Sequence, residues 1–162
     1  DVMPMAKGLG SGVPVGTVVV GPRATGVLGP GNHGTTFGGN PLAMRAGIET
    51  LRIMQEDGLL ENAAVVGRQL KADLERELAG TAGFRELRGE GLMLGVVLDR
   101  PCGALQNRAA EAGLLISVTA DSVVRLLPPL IFTPDDARET VRILGPLVKS
   151  FLAEPVPATA TT

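Results

Sequence analysis

The chain has one cysteine, one histidine, four phenylalanines and neither tryptophan nor tyrosine. A lone thiol, Cys102, excludes an intramolecular disulfide and a multi-cysteine metal site, and suits a reducing compartment, the cytoplasm by default. A lone imidazole, His33, excludes a histidine-based metal cluster, so no metal is expected. Any Ser-His-Asp relay would have to use it, the plainer reading being a structural loop histidine. With no indole and no phenol, few groups could sandwich a flat ring, so a stacking partner has to come from elsewhere.

Long apolar runs and basic runs are missing too. No stretch approaches a membrane span, and the first residues lack the basic and apolar regions of a signal peptide, so a soluble chain without a membrane partner is expected. The formal charge is −2 at neutral pH. The absence of a Lys/Arg run and of interleaved aromatics argues against an electrostatic nucleic-acid footprint, so no nucleic-acid partner is expected. The length of 162 residues suits one ordinary domain or two small subdomains.

What is abundant is glycine, and it is concentrated early. Residues 1–40 are rich in Gly and Pro around "VPVGTVVV" (13–20), which reads as a buried strand bounded by breakers. From Pro41 the pattern is helical, with Leu42, Ala46, Leu51 and Met54 near one stripe, Asn40 as cap and Gly58 as stop. A second helix places Leu59, Ala63, Val66, Leu70 and Leu74 on one stripe and ends at Gly80. Short apolar runs follow at "FRELRG", "GLMLGVVL", "GLLISVT" and "VVRLLPPL", with a helical "CGALQNRAAEAG" among them, as in a small α/β layer. The last helix begins with Thr133 as cap, Pro134 at its first position and Asp135 and Asp136 at the positive end of its dipole. Pro146 is expected to kink it, and "AEPVPATATT" to be disordered.

Three stretches could carry chemistry. "AKGLGSGVPVG" (6–16) lacks both the GxGxxG dinucleotide fingerprint and the Gly-Lys-Ser/Thr ending of a phosphate loop. What it offers is one of the chain's three lysines, Lys7, between small residues that let a planar group approach its amine, which suits a covalent lysine. The alternative is a surface charge, which fits Lys71 and Lys149 well. In "GPGNHGTTFGGNPLA" (29–43), Thr35 and Thr36 with glycine-turn N–H groups read as a phosphate or carboxylate contact, compatible with Asn40 capping the helix. Arg125 interrupts the apolar "SVVRLLPPL" and needs a carboxylate, either an internal Asp or Glu or a substrate held in a two-point fork. "RGEGLMLGV" (88–96) most simply marks a tight turn before a strand.

Taken together, "AKGLGSGVPVG", "GNHGTTFGGNPLA", "RGEGLMLGV" and "ADSVVRLLPPL" resemble the class III, pyridoxal-phosphate-dependent aminotransferases, and most closely their acetylornithine aminotransferase branch. The resemblance covers all but the tail. It implies an α/β fold, the C-terminal part of a fold-type I transferase. Residues 1–57 would end the large cofactor-binding domain, 58–153 would form the small α/β domain, and 154–162 a disordered tail. An upstream part is then expected, carrying the acid for the pyridine nitrogen, a stacking aromatic and a phosphate loop.

By the same likeness Lys7 would hold pyridoxal 5′-phosphate covalently and shuttle a proton. Thr36 would bind the cofactor phosphate in the partner subunit's site, Thr35 would lie beside it near the substrate, and Arg125 would hold the substrate α-carboxylate. A homodimer with shared sites is implied, working on an amino donor and a 2-oxo acid. The implied reaction takes an amino group from N-acetylornithine to 2-oxoglutarate in arginine synthesis, with little activity expected of these residues alone. Ornithine, 4-aminobutyrate or succinyldiaminopimelate as donor, and a non-catalytic remnant that only dimerises, stay open. Pro4, Met5, Ser11, Met44-Arg45 and Pro146 depart from the family pattern, Arg45 and Pro146 in ways that bear on local packing.

Overall fold

A computed structural model describes residues 1–155; from 156 on, the tail expected to be disordered lies outside the described residues. The chain divides into two compact units, Asp1–Gly58 and a second from Leu59 onward, each described here by itself.

The first unit is built on a two-stranded antiparallel ribbon, β1 (Val2–Met5) and β2 (Thr17–Val20), with Val2 opposite Val20 and Met5 opposite Thr17. Both strands are edges, so Pro4, opposite Val18, deprives no inner ladder of a donor. The expected buried strand at 13–20 is corrected: only Thr17–Val20 pairs, and all four side chains are exposed, Val18 at 56%. A two-stranded ribbon covers neither of its own faces, and Pro14 and Gly16 break the run before Thr17.

A 3-10 turn, Lys7–Gly10, follows β1. Helix α1 (Pro41–Glu56) starts as the sequence indicates: the Asn40 side chain accepts from the Ala43 N–H at 3.0 Å, Pro41 opens the helix, and Gly58 leaves it at φ 62°. Its packed face differs from the expected stripe. Ala43 and Gly47 are buried, whereas Leu42 is 71% exposed. The small residues let the helix approach the 3-10 turn, where a Cβ on Gly47 would lie 3.9 Å from the Leu9 carbonyl oxygen. Arg45 stays outside and pairs with Glu49 at 3.4 Å, so it does not disturb this contact.

The second unit stacks helices on one face of a four-stranded antiparallel sheet. Its elements are α2 (Leu59–Leu78), β3 (Phe84–Glu90), β4 (Met93–Leu98), α3 (Ala104–Glu111), β5 (Ser117–Thr119), β6 (Val123–Leu126) and α4 (Pro134–Ala153). The strand order is β3-β4-β6-β5, so β4 and β6 are central. Alternation along them sends Leu94, Val96, Leu98, Val124 and Leu126 into one core with Leu70, Leu74 and Leu78 of α2 and Leu144 and Val148 of α4. Burying such a side chain contributes about 1.5–3 kcal/mol, and this row of leucines and valines is the main glue of the unit.

Thr133 and Asp136 cap α4 reciprocally. The Asp136 N–H donates to Thr133 Oγ1 at 3.1 Å, and the Thr133 N–H donates to the Asp136 carboxylate at 2.9 Å. The helix continues past Pro146 to Ala153. Glu154, just beyond, accepts from Arg108 at 2.5 and 3.0 Å.

Candidate active site

Lys7 begins the 3-10 turn with φ 57°, a left-handed conformation that a non-glycine residue adopts only where its surroundings hold it there. Next to it, Gly8 has no heavy atom within 4 Å of where a Cβ would stand. Gly10 is needed for the opposite reason: its Cβ would fall 2.6 Å from Val15 Cγ1. The turn therefore closes tightly on one side and opens to space on the other, with an exposed lysine at its head. Among the described residues no carboxylate lies within 4.0 Å of the Lys7 amine.

The loop ahead of α1 is exposed from Gly31 to Gly39, His33, Thr35 and Thr36 included, and Phe37 is 81% exposed. Its internal bonds are made by asparagines: the Gly29 N–H donates to Asn32 Oδ1 at 2.7 Å, and Asn40 Nδ2 to the Phe37 carbonyl at 2.9 Å. The hydroxyls of Thr35 and Thr36 take no protein partner among the described residues, so both can donate to an anion. A cavity of about 370 Å³ in this unit lies between the flanks of the turn and α1, lined by Met5, Leu9, Val15, Ala43 and Ile48, and none of the four anticipated site residues lines it.

In the second unit, Arg125 sits on β6, on the sheet face turned away from the helices. The sequence left its partner open between an internal acid and a ligand. Its Nε donates to Ser117 Oγ at 3.1 Å, and no carboxylate among the described residues lies within 4.0 Å of its guanidinium. An internal ion pair is thus ruled out among those residues, and the remaining guanidinium N–H groups are available to a bound carboxylate. Arg125 also lines a cavity of about 420 Å³ on this face with Arg88, Glu90, Met93, Gly95 and Thr119.

Lys7, Thr35 and Thr36 thus belong to the first unit, and Arg125 to the second. Sequence reasoning missed Ser117, Arg88 and Gly95. Their place beside Arg125 comes from strand register, which neither spacing nor residue type carries. A covalently held aldehyde with a phosphate fits the residues present: an exposed amine with no acid beside it among the described residues, open space at Gly8, and two hydroxyls in a glycine-rich loop that take no partner among those residues. No group of three or more potential metal ligands occurs among the described residues, and no described helix is long and apolar enough to cross a membrane.

Comparison with known proteins gives a consistent set of relatives. A family model described as aminotransferase class-III matches residues 1–148. Acetylornithine aminotransferase 1 of Bordetella parapertussis is 57% identical over 154 residues, covering 95% of this chain and 39% of that relative. The acetylornithine aminotransferase of Nitrosomonas europaea is 42% identical over 152 residues, again covering 39% of the relative. Among solved structures, ornithine δ-aminotransferase of Plasmodium falciparum is similar with a TM-score of 0.86 at 32% identity, covering 93% of this chain and 40% of that one. Acetylornithine aminotransferase of Elizabethkingia anophelis gives 0.83 at 31% identity, covering 93% and 41%. The chain therefore spans about two fifths of the length of the relatives it matches.

Proposed function

The chain belongs to the class III aminotransferases, and from that premise we propose that it serves amino-group transfer from N-acetylornithine to 2-oxoglutarate, a step of arginine synthesis. The observation that carries the choice of donor is its high identity, along nearly its whole length, to a relative named for acetylornithine.

In this reading Lys7 holds pyridoxal 5′-phosphate, and Thr36 of a second copy donates to its phosphate, so the working form is a homodimer with shared sites. When bound, the cofactor supplies an electron sink for the charge left on the substrate Cα. Lys7 does the proton work: its amine, with no carboxylate within 4.0 Å among the described residues, takes the proton from Cα. Arg125 grips the α-carboxylate of the amino donor or 2-oxo acid in a fork, which sets the direction of the Cα–H bond, while Ser117 steadies the guanidinium through Nε. Thr35 lies beside the substrate. A reducing, cytoplasmic setting belongs to the same proposal and agrees with the buried lone thiol of Cys102.

We expect the 162 residues by themselves to transaminate little. The sink needs an acid on its ring nitrogen, and of the first unit's four acids Asp1 is engaged by Arg23, Glu49 and Glu56 are engaged by Arg52, and Asp57 is the exposed C-cap of α1. Ornithine is the second reading for the donor, favoured by the likeness to solved ornithine aminotransferases.

The test is visible absorbance of added pyridoxal phosphate, with Lys7→Ala beside the native chain, followed by half-reactions with N-acetylornithine and with ornithine. A Lys7→Ala protein that keeps both the band and any half-reaction refutes the role of Lys7, and a faster reaction with ornithine refutes the choice of donor.

A further inference from the structure

Arg88, Gly95, Arg125 and Ser117 form a single row across the four strands. Arg88 stands opposite Gly95, Gly95 opposite Arg125, and Arg125 opposite Ser117. Their neighbours Leu87, Leu94, Val96, Val124 and Leu126 enter the core, so the row lies on the opposite, helix-free face. Gly95 is the one position in the row with no side chain, and it stands between the two arginines. A Cβ there would meet Arg88 Cγ at 3.6 Å, Arg88 Nε at 3.8 Å and Val123 Cγ1 at 3.0 Å. The Arg88 side chain therefore lies across β4, over the gap that glycine leaves, and both guanidinium-bearing residues border the same cavity of about 420 Å³.

The charges on this face do not cancel in the free protein. Glu86 and Glu90 of β3 share the face and Glu90 borders the cavity, yet among the described residues no carboxylate comes within 4.0 Å of Arg88 or of Arg125. Like charges that share one sheet face repel, and that repulsion falls when an anion sits between them.

We infer that Arg88 is a second guanidinium of the carboxylate site, acting with Arg125 across Gly95 on small carboxylic acids. The inference rests on the proposed function only in taking Arg125 as the carboxylate holder. Arg88 adds charge and donors to the grip that Arg125 makes, and Gly95 is the spacer that allows it.

The probe is glutarate, titrated at low salt into the 162-residue chain and followed by amide chemical shifts, with uncharged glutaramide as control. Glutarate is expected to bind and glutaramide not. Arg88→Gln is expected to weaken glutarate about threefold to tenfold, Arg88→Lys less, and Arg125→Gln about tenfold or more. Melting temperature is measured for each variant, and Arg88→Lys, which keeps charge and stem, guards against loss of fold in Arg88→Gln. Glutarate binding by the native chain that Arg88→Gln leaves unchanged overturns the inference, as does absence of glutarate binding by the native chain. These titrations need no cofactor, so failure of the aminotransferase reading shows separately, in the Lys7→Ala absorbance.

Discussion

Gly67 of α2 sits so close to Gly91, in the turn between β3 and β4, that a Cβ at position 67 would lie 2.1 Å from the Gly91 carbonyl oxygen. The helix is thus seated directly on backbone, and Gly91 itself turns with φ 54°. This seat fixes the β3–β4 turn, and with it the strand that carries Arg88.

Gly67→Ala is the sharpest test of that seat, because the sign of its effect is reversed from the usual one. In an open helix interior alanine stabilises by about 1 kcal/mol relative to glycine. Here the added methyl meets a carbonyl group that cannot turn aside, so a net loss of roughly 1–3 kcal/mol is expected. Urea unfolding of the two proteins decides; an unchanged or higher midpoint contradicts the packing.

Asn62, in the first turns of α2, donates from Nδ2 to the carbonyls of Leu130 at 2.7 Å and Phe132 at 3.0 Å. It ties the segment between β6 and α4 to the helix. Asn62→Ala leaves both carbonyls without this donor and should cost about 1–3 kcal/mol. Asn62→Asp, which turns an acceptor toward acceptors, should cost at least as much. Denaturant midpoints check the order.

Acid should loosen the start of α4. Hydrogen bonds from the Thr133 hydroxyl, then from its backbone N–H, hold the Asp136 carboxyl below its ordinary value. A carboxylate with a lowered folded pKa adds stability that is fully present above its unfolded value, near 3.9, and is lost as pH falls through the lower folded value. Native protein should therefore lose this contribution only below about pH 4, whereas Asp136→Asn should lack it at every pH. Melting temperatures between acid and neutral pH should converge for the two proteins at the acid end.

Cys102 is fully buried, and burial raises its thiol above the ordinary value. Its thiolate is both scarce and shielded, so a water-soluble thiol reagent should label it slowly in the folded chain and quickly in denaturant. Labelling that is equally fast in both conditions would contradict its place in the core.

Shared sites predict complementation. If Lys7 of one copy and Thr36 of the other serve the same site, Lys7→Ala and Thr36→Ala each weaken retention of pyridoxal phosphate, and a refolded mixture recovers part of it, because mixed dimers contain one intact site. No recovery on mixing places both residues in sites made by a single copy.

Much of the fold was legible from local signals. Asn40-Pro41 and Thr133-Pro134-Asp135-Asp136 mark helix starts because capping chemistry is complete within a few residues. The leucine stripe of α2 was readable because one helix face meets one core; Leu70 and Leu74 are buried as expected. The valines of β2 and the Leu42–Leu51 stripe of α1 were not, since their burial depends on what covers them. In the first unit the ribbon covers neither of its own faces, and the helix packs through Ala43 and Gly47.

By itself, then, the sequence determined the helices, the starts of α1 and α4, and the chemical types available: one lysine among glycines, two adjacent threonines, and an arginine in an apolar strand. Only the tertiary structure decided what Arg125 faces. Ser117 and Gly95 flank it through antiparallel register, and Arg88 reaches its row across β4. Capping and periodicity are carried by neighbours along the chain, whereas a row across four strands exists only once the strands have paired, in a register set by which side chains the core takes in.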